Sequence, residues 1–226
     1  MPWLVLIPLA FLSGSIPFGL VIARAHGVNI RGHGSGNIGA TNVWRVLGRG
    51  PGLACFVLDV AKGLVPTLAA GAYTGLLGAP MVEPREGWLW LGVMGAAILG
   101  HMFSPFAGFK GGKGVATGLG AMLGVYPLLT LPALGALIIW VLAAAIWRYV
   151  SLASCLAALA LPLLVLLFAG VSDLLRTPGM VPFYTATAGI AALVIIRHRA
   201  NIRRLLAGTE NRMGRTPPTP LTDPEP

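Results

Sequence analysis

Residues 128–147 read LLTLPALGALIIWVLAAAIW, twenty positions without a charged side chain. Twenty residues of α-helix extend about 30 Å, the thickness of a bilayer's hydrocarbon core. The stretch therefore reads as a membrane-spanning helix, and its neighbours read the same way. Before it come apolar runs at Trp3 to Ala23, Gly52 to Leu77, Trp88 to Phe103 and Val115 to Val125. After it, one run follows the break at Arg148–Ser151 and reaches Ala169, and another covers Val181 to Ile196. Composition agrees: 56% of the 226 residues are hydrophobic and 10% charged, against roughly 25% charged in a soluble domain. Seven spans of about 20 residues use about 140 positions, which leaves loops and tails but no separate soluble domain. The 31 glycines and 18 prolines suit a membrane, where neighbouring helices re-satisfy freed backbone groups. The expected fold is an all-α integral membrane protein with seven transmembrane helices. One membrane domain covers 1–215, and residues 216–226 form a disordered Pro-rich tail.

Orientation follows from charge. Ala23-Arg24-Ala25 resembles a signal-peptide cleavage site, but no positive charge precedes the first run and Arg24 follows it. This favours an uncleaved span with its N-terminus outside. External loops then carry only Arg85 and Arg176, while the other fourteen Lys and Arg lie on or near the inner side, a strong positive-inside bias. The C-terminus is accordingly expected in the cytoplasm. The short fourth run, ending at Tyr126-Pro127, is the weak point. Were it re-entrant, Arg197, Arg199, Arg203 and Arg204 would lie outside, against that bias. A net charge of +9 does not signal nucleic-acid binding here, because the basic residues sit between apolar runs rather than on a soluble surface. Cys55 and Cys155 lie in apolar stretches and read as small buried hydrophobes. No cluster has metal-ligand spacing, so neither metal nor cofactor is expected.

Three polar segments fall on the predicted cytoplasmic face. The first runs from Gly32 to Asn42, with Arg45 one turn on. Gly34-x-Gly36-x-x-Gly39 formally matches a dinucleotide fingerprint, but a membrane helix rather than a strand precedes it. Its physical content survives, since glycines let a loop aim backbone N–H groups at an anion. Ser35, Asn37, Thr41 and Asn42 add hydrogen-bonding groups, and Arg45 adds a fixed bidentate cation. A flexible connecting loop is the alternative. The second segment, Gly100 to Thr117, holds Lys110 and Lys113 flanked by four glycines, Gly108, Gly111, Gly112 and Gly114. Ala107 and Gly114 stand where a nucleotide-hydrolysing P-loop needs Gly and Ser/Thr, so it is not one. It is still a Gly-flanked lysine pair at a helix N-terminus, with lysines snorkelling to headgroups as the alternative. The third, Arg197 to Glu210, places His198, Asn201 and Leu205 on one helix face, or serves only as an anchor to anionic lipid. Ser151 is a fourth, weaker point. Asp59 is the one acid inside an apolar run, and it is expected to pair with Lys62, three residues on.

At these residues the chain resembles the PlsY-type glycerol-3-phosphate acyltransferases of bacterial membranes. The resemblance rests on Gly34 to Asn37 and Gly39 to Asn42 with Arg45, on Gly100-His101 and Phe109 to Thr117, and on Arg197-His198, Asn201-Ile202, Arg204-Leu205, Gly208 and Glu210. Ile38 and Ser104-Pro105 depart from the expected pattern without removing a polar group. The resemblance implies transfer of a fatty acyl group from acyl phosphate to the 1-hydroxyl of sn-glycerol 3-phosphate, giving lysophosphatidate and phosphate. It also implies a bacterial inner-membrane location, and, besides the acyl phosphate and glycerol 3-phosphate substrates, membrane lipid and a soluble acyl-phosphate synthase as partners. By motif position, Gly34, Ser35, Gly36, Asn37 and Thr41 are assigned to the donor phosphate. Arg45, Lys110, Lys113, Ser151, His198 and Asn201 are assigned to glycerol 3-phosphate. Ser35, Arg45, Lys113, His198 and Asn201 are the implied catalytic set, with His198 either a general base or only a phosphate ligand. A transporter, or a lipid-binding scaffold with no reaction, is the competing class.

Overall fold

The computed structural model describes residues 2–171 and 178–214, all helix, turn and loop, with no strand among them. Arg176 and the tail from Thr216 to Pro226 lie outside the described residues. The helices are α1 (Trp3–Ser15), α2 (Phe18–Ala25), α3 (Ala40–Leu47), α4 (Arg49–Thr74), α5 (Pro84–Met102), α6 (Val115–Leu123), α7 (Thr130–Trp147), α8 (Val150–Val171), α9 (Val181–Arg197) and α10 (Arg199–Leu206).

The first apolar run is one span broken in two. Ile16 is extended, at ψ 116°, as a residue before proline prefers, and Pro17 starts α2. Together Trp3–Ala25 make a 23-residue candidate crossing, with α4, Pro84–Ala107, α7 and α8 as four more. α9 joins them only when taken with α10, from which it is bent by 58°. The fourth run is the departure. α6 has nine residues, about 14 Å at 1.5 Å per residue, half the hydrocarbon thickness.

Large aliphatic side chains point outward. On α7, Leu131, Leu134, Ile138, Leu142 and Ile146 are all exposed at three- and four-residue spacing, a stripe that belongs against lipid rather than water. The inward faces carry glycine instead. A Cβ on Gly14 of α1 would lie 2.0 Å from the Ala97 carbonyl oxygen of α5, and one on Gly100 of α5 2.2 Å from that of Phe11. α4 and α6 meet in the same way, with Gly63 against Thr117 and Gly120 against Val60. Helices that bring backbones this close gain dispersion contacts where no hydrophobic effect operates. Trp90 fills the centre between α4 and α5, buried, with its Nε1–H donating to the Thr67 carbonyl at 2.9 Å.

These contacts also show what the short helix does. α6 starts beside the middle of α4, at Val60 and Gly63, and Gly124 lies against Leu68. Gly78, beyond the far end of α4, then donates its N–H to the Tyr126 carbonyl at 3.0 Å. The segment after Gly114 thus climbs α4 from mid-height to the far end, and α7 returns.

Candidate active site

All three polar segments meet at one end of the bundle. Arg31, immediately before the first, donates through Nη2 to the carbonyls of Ala107 (2.7 Å) and Lys110 (3.2 Å) in the second. Arg197, at the end of α9, donates to the Gly112 carbonyl at 2.7 Å, with its guanidinium 5.4 Å over the Phe103 ring. Met213 N–H donates to the Arg148 carbonyl at 2.7 Å, closing the third segment onto the α7–α8 turn.

Asn42 shapes the first segment. Its buried amide donates to the carbonyls of Ile30 (3.3 Å) and His33 (3.1 Å), while its Oδ1 accepts from the Ser35 N–H at 2.8 Å. Gly34 and Gly36 take φ of +60° and +68°, values a side chain disfavours. A Cβ on Gly34 would also fall 2.3 Å from Asn42 Oδ1. Asn37 Oδ1 accepts from the Gly39 N–H at 2.8 Å, so its side chain braces the turn into α3. Ser35, Gly36 and Thr41 are exposed around the N-terminal turn of α3, whose first N–H groups have no intrahelical partner. The result is a small, open cradle of glycine, hydroxyl and helix N-terminal groups.

Beside it lies a more buried, charged cluster. Lys113 Nζ donates to Asn201 Oδ1 at 2.6 Å, and Asn201 Nδ2 donates to Glu210 Oε1 at 2.6 Å. The same oxygen accepts from Ser151 Oγ at 2.8 Å, and Arg204 Nε donates to Oε2 at 2.7 Å. Arg45 reaches Asn42 Oδ1 at 3.5 Å and feels the charges of Glu210 and Arg204. His198, just beyond α9, is 2% exposed, and its Nδ1 lies 2.8 Å from the Val194 carbonyl. A carbonyl only accepts, so Nδ1 carries the proton and Nε2 the lone pair. Lys110 is placed differently: its carbonyl holds Arg31, and its side chain is exposed.

Residues 4–208 match the family described as glycerol-3-phosphate acyltransferase. The chain belongs to that family. A glycerol-3-phosphate acyltransferase of Geobacter sulfurreducens is 50% identical over 210 residues, covering 92% of this chain and 96% of its own. One of Aquifex aeolicus is 44% identical over 210 residues, covering 92% and 98%. Among solved structures, PlsY, an integral membrane glycerol 3-phosphate acyltransferase in its glycerol 3-phosphate form, superimposes with a TM-score of 0.78. It is 41% identical and covers 95% of this chain and 96% of its own. The protein is thus a multi-pass membrane acyltransferase of phospholipid biosynthesis, which sets aside the transporter and the non-catalytic scaffold.

Electrostatics divide the acyltransferase's basic groups. Burial lowers the Lys113 pKa to about 8, with Glu210 acting against that and Arg204 with it. Burial, then the Lys113 charge, lowers His198 to about 4, so it is neutral at physiological pH. Burial raises Glu210, but hydrogen bonds from Asn201, Arg204 and Ser151 outweigh it and the net shift is downward. A phosphate held by Lys113 needs the ammonium form. KM for glycerol 3-phosphate should therefore rise as pH climbs through about 8, and Lys113→Arg should remove the inflection, because a guanidinium stays charged. A flat KM between pH 7 and 10 in the native enzyme would exclude Lys113 from acceptor binding.

Three residues that the sequence reading left out of its assigned site set organise the candidate site. Asn42 ties down the first loop, Arg197 the second, and Glu210 the third. Glu210 carried a signal, as a lone acid amid a basic segment, whereas Arg197 was indistinguishable from a membrane anchor.

Proposed function

We propose that the enzyme transfers a fatty acyl group from acyl phosphate to the 1-hydroxyl of sn-glycerol 3-phosphate. The products are lysophosphatidate and inorganic phosphate, and the reaction is the first acylation of phospholipid synthesis. The observation that carries this reading is the presence of two adjacent but dissimilar anion sites. The uncharged glycine cradle suits a phosphate that must leave, and the Arg45–Lys113 cluster suits one that stays on the acceptor. A thioester donor would have no phosphate at its reacting carbon for the cradle to hold. Fitting support comes from the solved PlsY relatives, described in glycerol 3-phosphate and lysophosphatidic acid forms.

Gly34, Ser35, Gly36, Asn37 and Thr41 hold the donor phosphate and the developing oxyanion. Arg45, Lys113 and Asn201 bind the glycerol phosphate, with Ser151 aligning them through Glu210 and Lys110 contributing charge at the entrance. His198 Nε2 accepts a hydrogen bond from the attacking hydroxyl and orients it. The hydroxyl oxygen bonds to the acyl carbon, the carbon–oxygen bond to phosphate breaks, and the hydroxyl proton passes from its hydrogen bond with His198 to the departing phosphate, a stronger base than a neutral imidazole of such low pKa. An anhydride is already activated, so positioning and charge stabilisation suffice, and no metal or cofactor is called for.

Purified protein should turn over acyl phosphate with glycerol 3-phosphate, and inorganic phosphate should inhibit competitively against the donor. Ser35→Ala or a bulky residue at Gly36 should weaken donor use most. Arg45→Lys and Lys113→Ala should each cost one to two decades in acceptor kinetics, from about 1.5–3 kcal/mol per charge-assisted bond. Comparable turnover of acyl-CoA, in protein free of other enzymes, would overturn the donor assignment.

The same reading places the enzyme in the bacterial inner membrane with seven crossings, the N-terminus outside and the site facing the cytoplasm, open to a soluble acyl-phosphate synthase. Its support is the climb of the α6 segment to the far end of α4, together with charge. Among the described residues, Arg85 is the basic residue at the opposite end. Cysteines at Gly50 and Gly208 should resist external labelling while one at the exposed Glu83, before α5, reacts. Labelling of Gly208 from outside would overturn this topology.

A further inference from the structure

Below the site, inside the apolar bundle, lies a second cluster that the reaction as described does not use. Asp59 and Lys62 on α4 pair at 2.6 Å with only 2% and 5% of their surfaces exposed. Lys62 Nζ makes one further bond, to the Ile16 carbonyl at 2.7 Å. That carbonyl sits at the α1–α2 break, where Pro17 ends the helix. The neighbouring Ser15 carbonyl accepts from Ser104 Oγ, at the start of the second segment. On the far side of this break α2 presses on the donor loop, since a Cβ on Gly19 would collide with the Ile38 carbonyl.

His101 continues the chain of contacts toward the acceptor side. Its Nδ1 lies 3.7 Å from Asp59 Oδ1, and neither atom has an aligned hydrogen bond. The other edge of the ring abuts Gly112, where a Cβ would be 2.1 Å from Nε2, and the His101 carbonyl accepts the Gly112 N–H at 3.2 Å. Gly112 precedes Lys113. Asp59, Lys62 and His101 are all buried, so the cluster is shielded from bulk solvent.

A buried ion pair is weak evidence of a stabilising role, because apolar replacements of similar volume are often neutral or better. Charged groups within a membrane bundle otherwise mark function. We infer that Asp59, Lys62 and His101 are positioning residues of the acyl-transfer site. They set the separation of the donor cradle from Lys113 by holding the α1–α2 break on one side and Gly112 on the other. The inference rests on the assignment of those two sites to the two substrates.

The test is the double variant Asp59→Leu/Lys62→Met, with His101→Leu beside it, each purified and assayed with acyl phosphate and glycerol 3-phosphate. Positioning predicts folded protein with an unchanged thermal midpoint, a kcat at least ten-fold lower, and a glycerol 3-phosphate KM within about three-fold of native, since no phosphate ligand is touched. A kcat within two-fold of native in the folded double variant would overturn the inference. Should that variant not fold, His101→Leu decides on the same readout, and failure of both to fold assigns the cluster to the fold alone. A native enzyme inactive with acyl phosphate would overturn the donor assignment instead, and the variants would then be read with the donor that it does use.

Discussion

Glu210→Ala is expected to lower acyl transfer by at least about two orders of magnitude. One carboxylate receives Ser151, Asn201 and Arg204, and hydrogen bonds to charged groups contribute about 1.5–3 kcal/mol each, with 1.4 kcal/mol equal to a factor of ten. Its removal leaves Asn201 free to rotate, and Lys113 loses the acceptor that aims it. Glu210→Gln keeps one carbonyl oxygen for Ser151 or Asn201 but loses the ion pair with Arg204, so it should fall between native and Ala. Specific activity together with thermal unfolding in detergent separates loss of alignment from loss of fold. Near-native kinetics in Glu210→Ala would remove the carboxylate from the site's organisation.

The second large effect concerns assembly. Gly63→Leu or Gly120→Leu should yield no folded, extractable enzyme. A Cβ at these positions would lie 2.2 Å from the Thr117 oxygen and 1.9 Å from the Val60 oxygen. Overpacking usually costs about 1–3 kcal/mol when side chains can shift, and here the obstacle is backbone, which has no other rotamer. Gly95→Leu is the control, because a Cβ there meets nothing within 4 Å, and it should express and work as the native chain does. Size-exclusion behaviour and activity of the three variants decide. A monodisperse, active Gly63→Leu would mean that α4 and α6 tolerate separation.

Much of this was legible in the sequence because a membrane simplifies the physics. Apolar runs of the right length announced α4, α5, α7 and α8 within a few residues of their ends. The Asp59–Lys62 spacing announced an ion pair, which forms. The three polar segments read as sharing one side of the protein, and Arg31 and Arg197 join them at one end of the bundle. What stayed hidden depends on contacts between distant parts of the chain. The short helix Ala40–Leu47 was not among the expected elements; it is closed by Gly48 and packed on α4 through Trp44, whose Cβ faces Gly52. The α1–α2 break looked like an uninterrupted span, since a proline inside an apolar run does not by itself say whether the helix continues: Pro66 sits inside α4 without ending it. His198 offered no sign in sequence of its neutral state, which comes from burial and from Lys113.

The glycine seams between α1 and α5 and between α4 and α6 bear on how this chain can change over generations. A lipid-facing position such as Ile138 touches fluid hydrocarbon, so one aliphatic side chain there does nearly the work of another. A seam glycine has a single acceptable identity, because every alternative adds an atom where a neighbouring backbone already lies. The two faces of one helix therefore drift at different speeds. A saturation library scored for activity should recover a broad aliphatic alphabet on the outer stripe of α7 and one letter at Gly14, Gly63, Gly100 and Gly120.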